Sequence, residues 1–218
     1  MKIIIFGPPG SGKGTQSNLI MQKYNIPIIS IGDILRNIML KKNQLGMLIK
    51  KKIQTGMLID DNIIIDLLME KIQNNSMNSF ILDGFPRTIK QTKIMNKKNI
   101  VINYIIELTL NKKILYERIL GRRIHIPSGR IYHVKYNPPN ISEQDDITHE
   151  KLTTRIDDNI QTIHQRLCEY QNMHEIMMKY FHTIKNNKIT KYTQINTEKS
   201  IQNVFSKIKK FIKLNKNL

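Results

Sequence analysis

Phe6-Gly7-Pro8-Pro9-Gly10-Ser11-Gly12-Lys13-Gly14-Thr15 follows directly on Lys2-Ile3-Ile4-Ile5 and runs into Gln16 to Tyr24. The apolar run before it suits a buried strand, and the residues after it read as a helix. A strand, a glycine-rich turn and a helix start make a P-loop. Its glycines let the backbone bend tightly and approach phosphate oxygens, with successive N–H groups pointing inward. The helix N-terminus adds partial positive charge, and Lys13 adds a full one. Gly7 to Gly12-Lys13 matches G-x-x-x-x-G-K, but Gly14 stands where Ser or Thr usually follows the Lys, and Thr15 comes next. A chance glycine turn would lack the flanking strand and helix.

Outward from this turn, strands and helices alternate. Ile26 to Ser30 is a short extended piece, and Gly32-Asp33-Ile34-Leu35-Arg36 opens a second helical stretch. A further helix spans about 42–54 and is broken by Gly56. Asp60-Asp61 can cap the next, whose apolar face is Ile63, Ile64, Leu67, Leu68 and Ile72. Phe80-Ile81-Leu82-Asp83 is an apolar run that ends in a carboxylate. Beside a P-loop this is the Walker-B arrangement, with Asp83 holding Mg²⁺ through water; taken alone it is equally a strand end with a turn Asp. A helix over 88–97, a strand over 101–108 and a helix over 111–121 follow. Residues 122–156 change texture, with Pro127, Gly129, Pro138 and Pro139 among alternating apolar and polar residues. This reads as a small β-rich insertion. A long helix over 157–181, a strand over 191–195 and a helix over 200–214 complete the chain. Such alternation predicts an α/β fold with a parallel sheet and right-handed crossovers.

A chain of 218 residues can bury a core as one domain with insertions. Its 35 basic and 17 acidic residues give a net charge of +18. Lys, Asn and Ile are abundant throughout, so the charge reads as a compositional bias and not as a nucleic-acid patch. A positive field still draws polyphosphate anions. One cysteine, Cys168, excludes an internal disulfide framework and reads as a small core residue. No apolar stretch reaches the ~20 residues of a membrane span. The N-terminus enters strand and P-loop at once, which leaves no room for a removable signal peptide, and a reducing, cytoplasmic setting is expected.

The arginines matter by position. Arg118 and Arg122 would share a face at the end of one helix, and Arg155 and Arg166 a face of the next. Arg36 and Arg87 follow strand-like segments, where α/β sheets place ligands. Phosphoryl transfer needs charge around the moving group and little covalent chemistry, so arginines converging on one P-loop suit it.

These motifs together resemble the adenylate kinases of the long-lid type over essentially the whole chain. The residues that carry the resemblance are Gly7 to Thr15, Gly32 to Arg36, Leu82 to Thr88, Gly121-Arg122-Arg123, Pro127 to Arg130 and Leu152 to Asp158. The Gly-Lys-Gly-Thr form of the loop is that of nucleoside monophosphate kinases. The resemblance implies a five-stranded parallel P-loop sheet and one kinase domain over 1–218. Its insertions would be an AMP-binding helical flap at 30–59 and a lid at 121–158. It implies reversible transfer from ATP to AMP, giving two ADP, with Mg²⁺ at Asp83 and Thr15. Catalysis would fall to Lys13, Arg87, Arg122, Arg155 and Arg166. ATP would be held by Gly10, Ser11, Gly12, Lys13, Gly14, Thr15, Arg122, Ile131, Tyr132 and Lys199, the last by its backbone. AMP would be held by Ile31, Arg36, Met57, Leu58, Ile59, Gly84, Phe85, Pro86, Arg87, Gln91, Arg155 and Arg166. The partners implied are ATP, AMP and ADP, with no specific nucleic acid, no membrane, and a monomeric state. The peptide before Pro86 is cis in similar proteins. Zinc-binding relatives carry four cysteines where this chain has His125, Ser128, Asp145 and Thr148. Hydroxyls are poor zinc ligands, so a hydrogen-bonded polar cluster without zinc is expected. Ile31 stands where the family usually has Thr. Two other readings fit these residues: a kinase for another nucleotide pair (GTP:AMP or a pyrimidine monophosphate), and a nucleotide-responsive nucleic-acid-binding protein.

Overall fold

The structure, a computed structural model, describes residues 1–74, 78–185 and 189–215. In chain order it runs β1 (Lys2–Phe6), α1 (Lys13–Tyr24), β2 (Ile28–Ser30), α2 (Ile31–Met39), α3 (Gln44–Thr55), α4 (Asp61–Asn74), β3 (Phe80–Asp83) and α5 (Ile89–Lys97). Then come β4 (Tyr104–Thr109), α6 (Lys112–Leu120), β5 (Arg122–Ile124), β6 (Ile131–His133), α7 (Ile160–Lys185), β7 (Lys191–Asn196) and α8 (Ile201–Leu214). Five strands form one parallel sheet in the order β2-β3-β1-β4-β7, as expected.

β1 is central because both its faces are apolar. Ile4 and Phe6 enter one core with residues of α2 to α5 and α7, while Ile3 and Ile5 enter a second with α1 and α8. A parallel strand covered by helices on both sides reads as a continuous apolar run, as Lys2-Ile3-Ile4-Ile5-Phe6 does. Helix starts follow side-chain caps that satisfy free N–H groups. Ser30 accepts the Asp33 N–H at 3.2 Å, Asn43 the Gly46 N–H at 2.8 Å, and Asp60 the Asn62 N–H at 2.9 Å.

Two helix ends differ from the sequence reading. Helix α6 stops at Leu120, and the Gly121 N–H closes its last turn on Glu117 O. Arg122 therefore opens β5 and shares no helical face with Arg118. Helix α7 begins at Ile160, which leaves Arg155 in the turn before it and off the face of Arg166. Both boundaries are local: Gly121 closes α6, and the Asn159 side chain accepts the Thr162 N–H at 2.9 Å at the start of α7. Strand β4 starts at Tyr104, later than expected. Cys168 is only half-buried, with Sγ 3.8 Å from His164 Nδ1, and is not a core residue.

Strands β5 and β6 pair antiparallel, with Arg122 opposite His133. The isolated bridge Ile124↔Thr153 ties the returning chain to β5, and Gln144↔Lys151 closes the stretch between. Its centre is polar. His125 Nδ1 lies 2.7 Å from Ser128 Oγ, and Thr148 Oγ1 lies 3.1 Å from Asp145 Oδ2 and 3.3 Å from His125 Nε2. The expected cluster is thus joined by hydrogen bonds. Residues not anticipated complete it. Arg130 donates to both Asp145 oxygens at 2.7 and 2.6 Å, Tyr132 OH donates to Oδ1 at 3.0 Å, and Glu150 accepts from His125 Nε2. The Arg130 bonds, before all else, hold the Asp145 carboxyl far below the usual range. The Glu150 carboxylate can only accept, so His125 carries a proton on Nε2 and its Nδ1 can take the Ser128 hydroxyl.

Candidate active site

Two glycines shape the turn after β1. Gly7 has φ +147°, and a Cβ there would sit 2.3 Å from Leu108 O; Gly10 has φ +78° and would meet Ile119 at 2.9 Å. A larger residue at either position would push the loop away from its floor. Helix α1 begins at Lys13 with no side-chain cap at Gly12 and no acidic residue in its first turn. Its free N–H groups and its dipole thus face the loop unopposed. Lys13 Nζ donates to Gly7 O and Pro8 O, both at 2.9 Å, and so lies folded across the loop.

The loop forms the floor of a cleft of about 1600 Å³. Every site residue expected from the sequence lines this cleft except Phe85. Phe85 is 1% exposed and packs in the larger core, so its ring supports the loop after β3 and does not face a ligand. The Phe85–Pro86 peptide is cis. Tyr132 lines the cleft, but its hydroxyl is taken by Asp145.

The arginines converge from separate elements. Arg122 forms a two-pronged pair with Asp158, and Arg166 pairs with Asp157; both carboxylates are 1% exposed. Arg87 Nε donates to Gly84 O at 2.8 Å, and Arg36 pairs with Asp33 at 2.5 Å. Arg118, which the sequence reading gathers with the other arginines around the loop but gives no ligand, also lines the cleft. It donates to Thr197 O at 2.6 Å and stands 5.4 Å over the Tyr136 ring. Its signal in the sequence was its spacing from Arg122, read there as a shared helical face. Asp157 and Asp158 were quoted only as part of a motif.

Crowding cations in a partly enclosed cleft is costly, and the titrations register this. Burial first, then the nearby arginines, lower Lys13 to about 8. Burial and Arg166 lower Arg87 to about 10, and burial, Arg122 and Arg36 lower Arg155 to about 9. Burial raises Asp83 although Lys13 opposes the shift. Among the described residues, Ser11 Oγ and Arg155 Nε are buried without a hydrogen-bond partner. Such a site has unspent positive charge and unspent donors, which suits a polyphosphate.

Asp83 closes β3 beside the loop, its Oδ2 3.5 Å from where a Cβ on Gly14 would stand. With the Thr15 hydroxyl it supplies hard oxygen donors, the type that Mg²⁺ takes when it keeps several waters and shares phosphate oxygens. The donor set therefore fits Mg²⁺. No group of three or more His, Cys, Asp or Glu side chains suited to a metal occurs among the described residues. No helix among them is long and apolar enough to cross a membrane.

A family model described as adenylate kinase matches residues 5–186. The chain belongs to the adenylate kinase family. It is 45% identical over 214 residues to an adenylate kinase of Buchnera aphidicola subsp. Acyrthosiphon pisum (strain Tuc7), a match that covers 98% of this chain and all of that one. An adenylate kinase of Francisella tularensis subsp. novicida is 43% identical over 219 residues, covering 99% of this chain and all of the relative. One of Photorhabdus laumondii is 40% identical over 213 residues, covering 97% and all of the relative. The adenylate kinase resemblance read from the motifs therefore extends over nearly the whole chain.

Proposed function

We propose that this chain catalyses the reversible transfer of the γ-phosphoryl group of ATP to AMP, giving two ADP. The observation that carries the reading is the one cleft in which a P-loop lysine and arginines from seven separate segments meet. The loop amides, Lys13, Gly14 and Thr15 would hold the ATP phosphates, with Arg118, Ile131, Tyr132 and Lys199 around the nucleoside. Arg36 and Arg87 would hold the AMP phosphate, and Ile31, Met57, Leu58, Ile59 and Gln91 would flank its base. Arg122, Arg155 and Arg166 would surround the group in flight. An AMP phosphate oxygen bonds to the γ-phosphorus as the bond to the β-phosphate oxygen breaks. Charge spread over the equatorial oxygens is met by guanidinium groups already in place. Asp83 and Thr15 would hold Mg²⁺, whose charge would offset that of the phosphates.

Residues 1–218 would form one kinase domain, in which 30–59 and 121–158 close over the two nucleotides. Closure excludes water, so AMP and not hydroxide receives the phosphoryl group. The protein would act as a cytoplasmic monomer.

A coupled assay tests this: purified protein with ATP, AMP and magnesium should form ADP, and Lys13→Ala should abolish it. A folded protein that makes no ADP would overturn the reading. Replacing ATP with GTP, or AMP with CMP and UMP, should lower the rate; a faster rate would assign another nucleotide pair.

A further inference from the structure

Gln91 is 3% exposed and lines the cleft as Ile59 and Ile64 do. Both ends of its carboxamide are committed. Oε1 accepts the Arg87 backbone N–H at 2.7 Å, and Nε2 donates to Asp61 Oδ1 at 2.7 Å. The second Asp61 oxygen accepts from Thr88 Oγ1 at 2.9 Å, and the same Oγ1 caps α5 by accepting the Gln91 N–H at 3.2 Å. Chemistry fixes this orientation. A turned amide would set its NH₂ against the Arg87 N–H and its oxygen against a carboxylate, two repulsive contacts in place of two bonds. Asp61 itself does not line the cleft; it lies in the first turn of α4, behind Gln91.

We propose that Asp61 is a positioning residue that sets base choice at the monophosphate site by locking the Gln91 carboxamide in one orientation. This rests on the reading above that Gln91 flanks the monophosphate base. With two bonds committed, the amide retains one lone pair on Oε1 and one N–H on Nε2. A 6-aminopurine presents an amino donor beside a ring-nitrogen acceptor, which matches that pair. A 6-oxopurine held by the same phosphate presents the reverse, an acceptor beside an N–H. A carboxamide free to turn would serve both; one held by a carboxylate serves the amino form. A site built to hydrogen-bond one pattern rejects the other because its own polar groups are then left unpaired.

The test uses the purified full chain with ATP as donor and AMP or IMP as acceptor, comparing wild type, Asp61→Ala, Gln91→Ala and the double variant. Asp61→Ala, which removes the acceptor altogether where Asn would keep one, should raise the KM for AMP by about tenfold, the size of a lost charge-assisted hydrogen bond, and narrow the AMP-over-IMP ratio of kcat/KM by about as much. The KM for ATP and kcat at saturating AMP should stay within about twofold of wild type. On the Gln91→Ala background the Asp61 change should do nothing further. If Asp61→Ala lowers kcat alike with both acceptors and leaves the ratio unchanged, the proposal fails. It also fails if the full effect persists without Gln91. Thermal unfolding identifies a variant that does not fold; Asp61→Leu is then the second variant, with the same narrowing expected. A wild-type protein inactive on AMP would instead remove the functional reading on which this one stands.

Discussion

A polyphosphate entering the cleft should draw protons from solvent, and the amount follows from the charges around it. Lys13 titrates at about 8 and Arg155 at about 9 in the ligand-free protein. At pH 7.5 about a quarter of Lys13 is then neutral; at pH 8.5 about three-quarters of Lys13 and about a quarter of Arg155 are neutral. A bound triphosphate favours the charged form of both. Proton uptake on ATP binding should therefore rise from about 0.25 per site at pH 7.5 to about 1 at pH 8.5. The phosphate itself, with a last pKa of about 6, is fully ionised at both. Titration calorimetry in two buffers of different ionisation enthalpy measures the uptake. Lys13→Gln should retain only the Arg155 share, about 0.25 at pH 8.5. An uptake that does not rise between the two pH values, or that survives intact in Lys13→Gln, refutes the reasoning. The stability corollary has a definite sign. The folded value of Lys13 lies below the ordinary lysine value of about 10.4. The cost of confining its charge is thus fully present at neutral pH and is relieved as pH climbs from about 8 towards that value, so ligand-free stability gains from Lys13 across that window.

Three further outcomes are expected. Arg122→Ala should abolish transfer and, by leaving the Asp158 carboxylate buried and unpaired, cost about 3 kcal/mol in chemical denaturation. Adding Asp158→Ala should restore stability but not activity. His149, exposed and at φ +58°, holds a left-handed conformation. Gly there should stabilise the protein by about 1 kcal/mol and raise its Tm by about 2–4 °C, and an unchanged or lower Tm would count against it. Ile31→Thr should lower the KM for AMP several-fold by returning a hydroxyl to the first turn of α2, where Ile31 is 2% exposed. No gain in AMP affinity would show that the position matters less than the resemblance implies.

What the chain disclosed by itself was local or periodic. The P-loop turn, the Asp83 strand end and the Asp60 cap of α4 are contiguous signals, and each stands where its residues indicated. The arginine pairings failed because Arg122 and Arg155 fall outside α6 and α7, whose ends are set by Gly121 and by the Asn159 cap, while Asp158 and Asp157 pair with Arg122 and Arg166. The polar cluster was legible at four positions. Arg130, Tyr132 and Glu150 were not, because only the fold of the β5–β6 segment brings them to Asp145 and His125. Asp61 was legible as a helix-start residue; its bonds to Gln91 and Thr88 span 30 and 27 positions. Glu107 is 1% exposed in the middle of β4, bonded to His174, Tyr192 and Gln194. It sat unremarked inside an apolar run, since a buried acid is recognised only by its partners.

The strand that leaves the ribosome first is the one that must wait longest. β1 is flanked by residues 80–83 and 104–109. At a synthesis rate of about 5–20 residues per second, its second neighbour follows by roughly 5–20 s. For that interval Ile3, Ile4, Ile5 and Phe6 are a sticky, unclaimed ribbon, and the nucleotide turn attached to it has no floor to settle on. A nascent chain halted before residue 109 should therefore be an aggregation hazard and a client for chaperones, whatever the robustness of the finished enzyme.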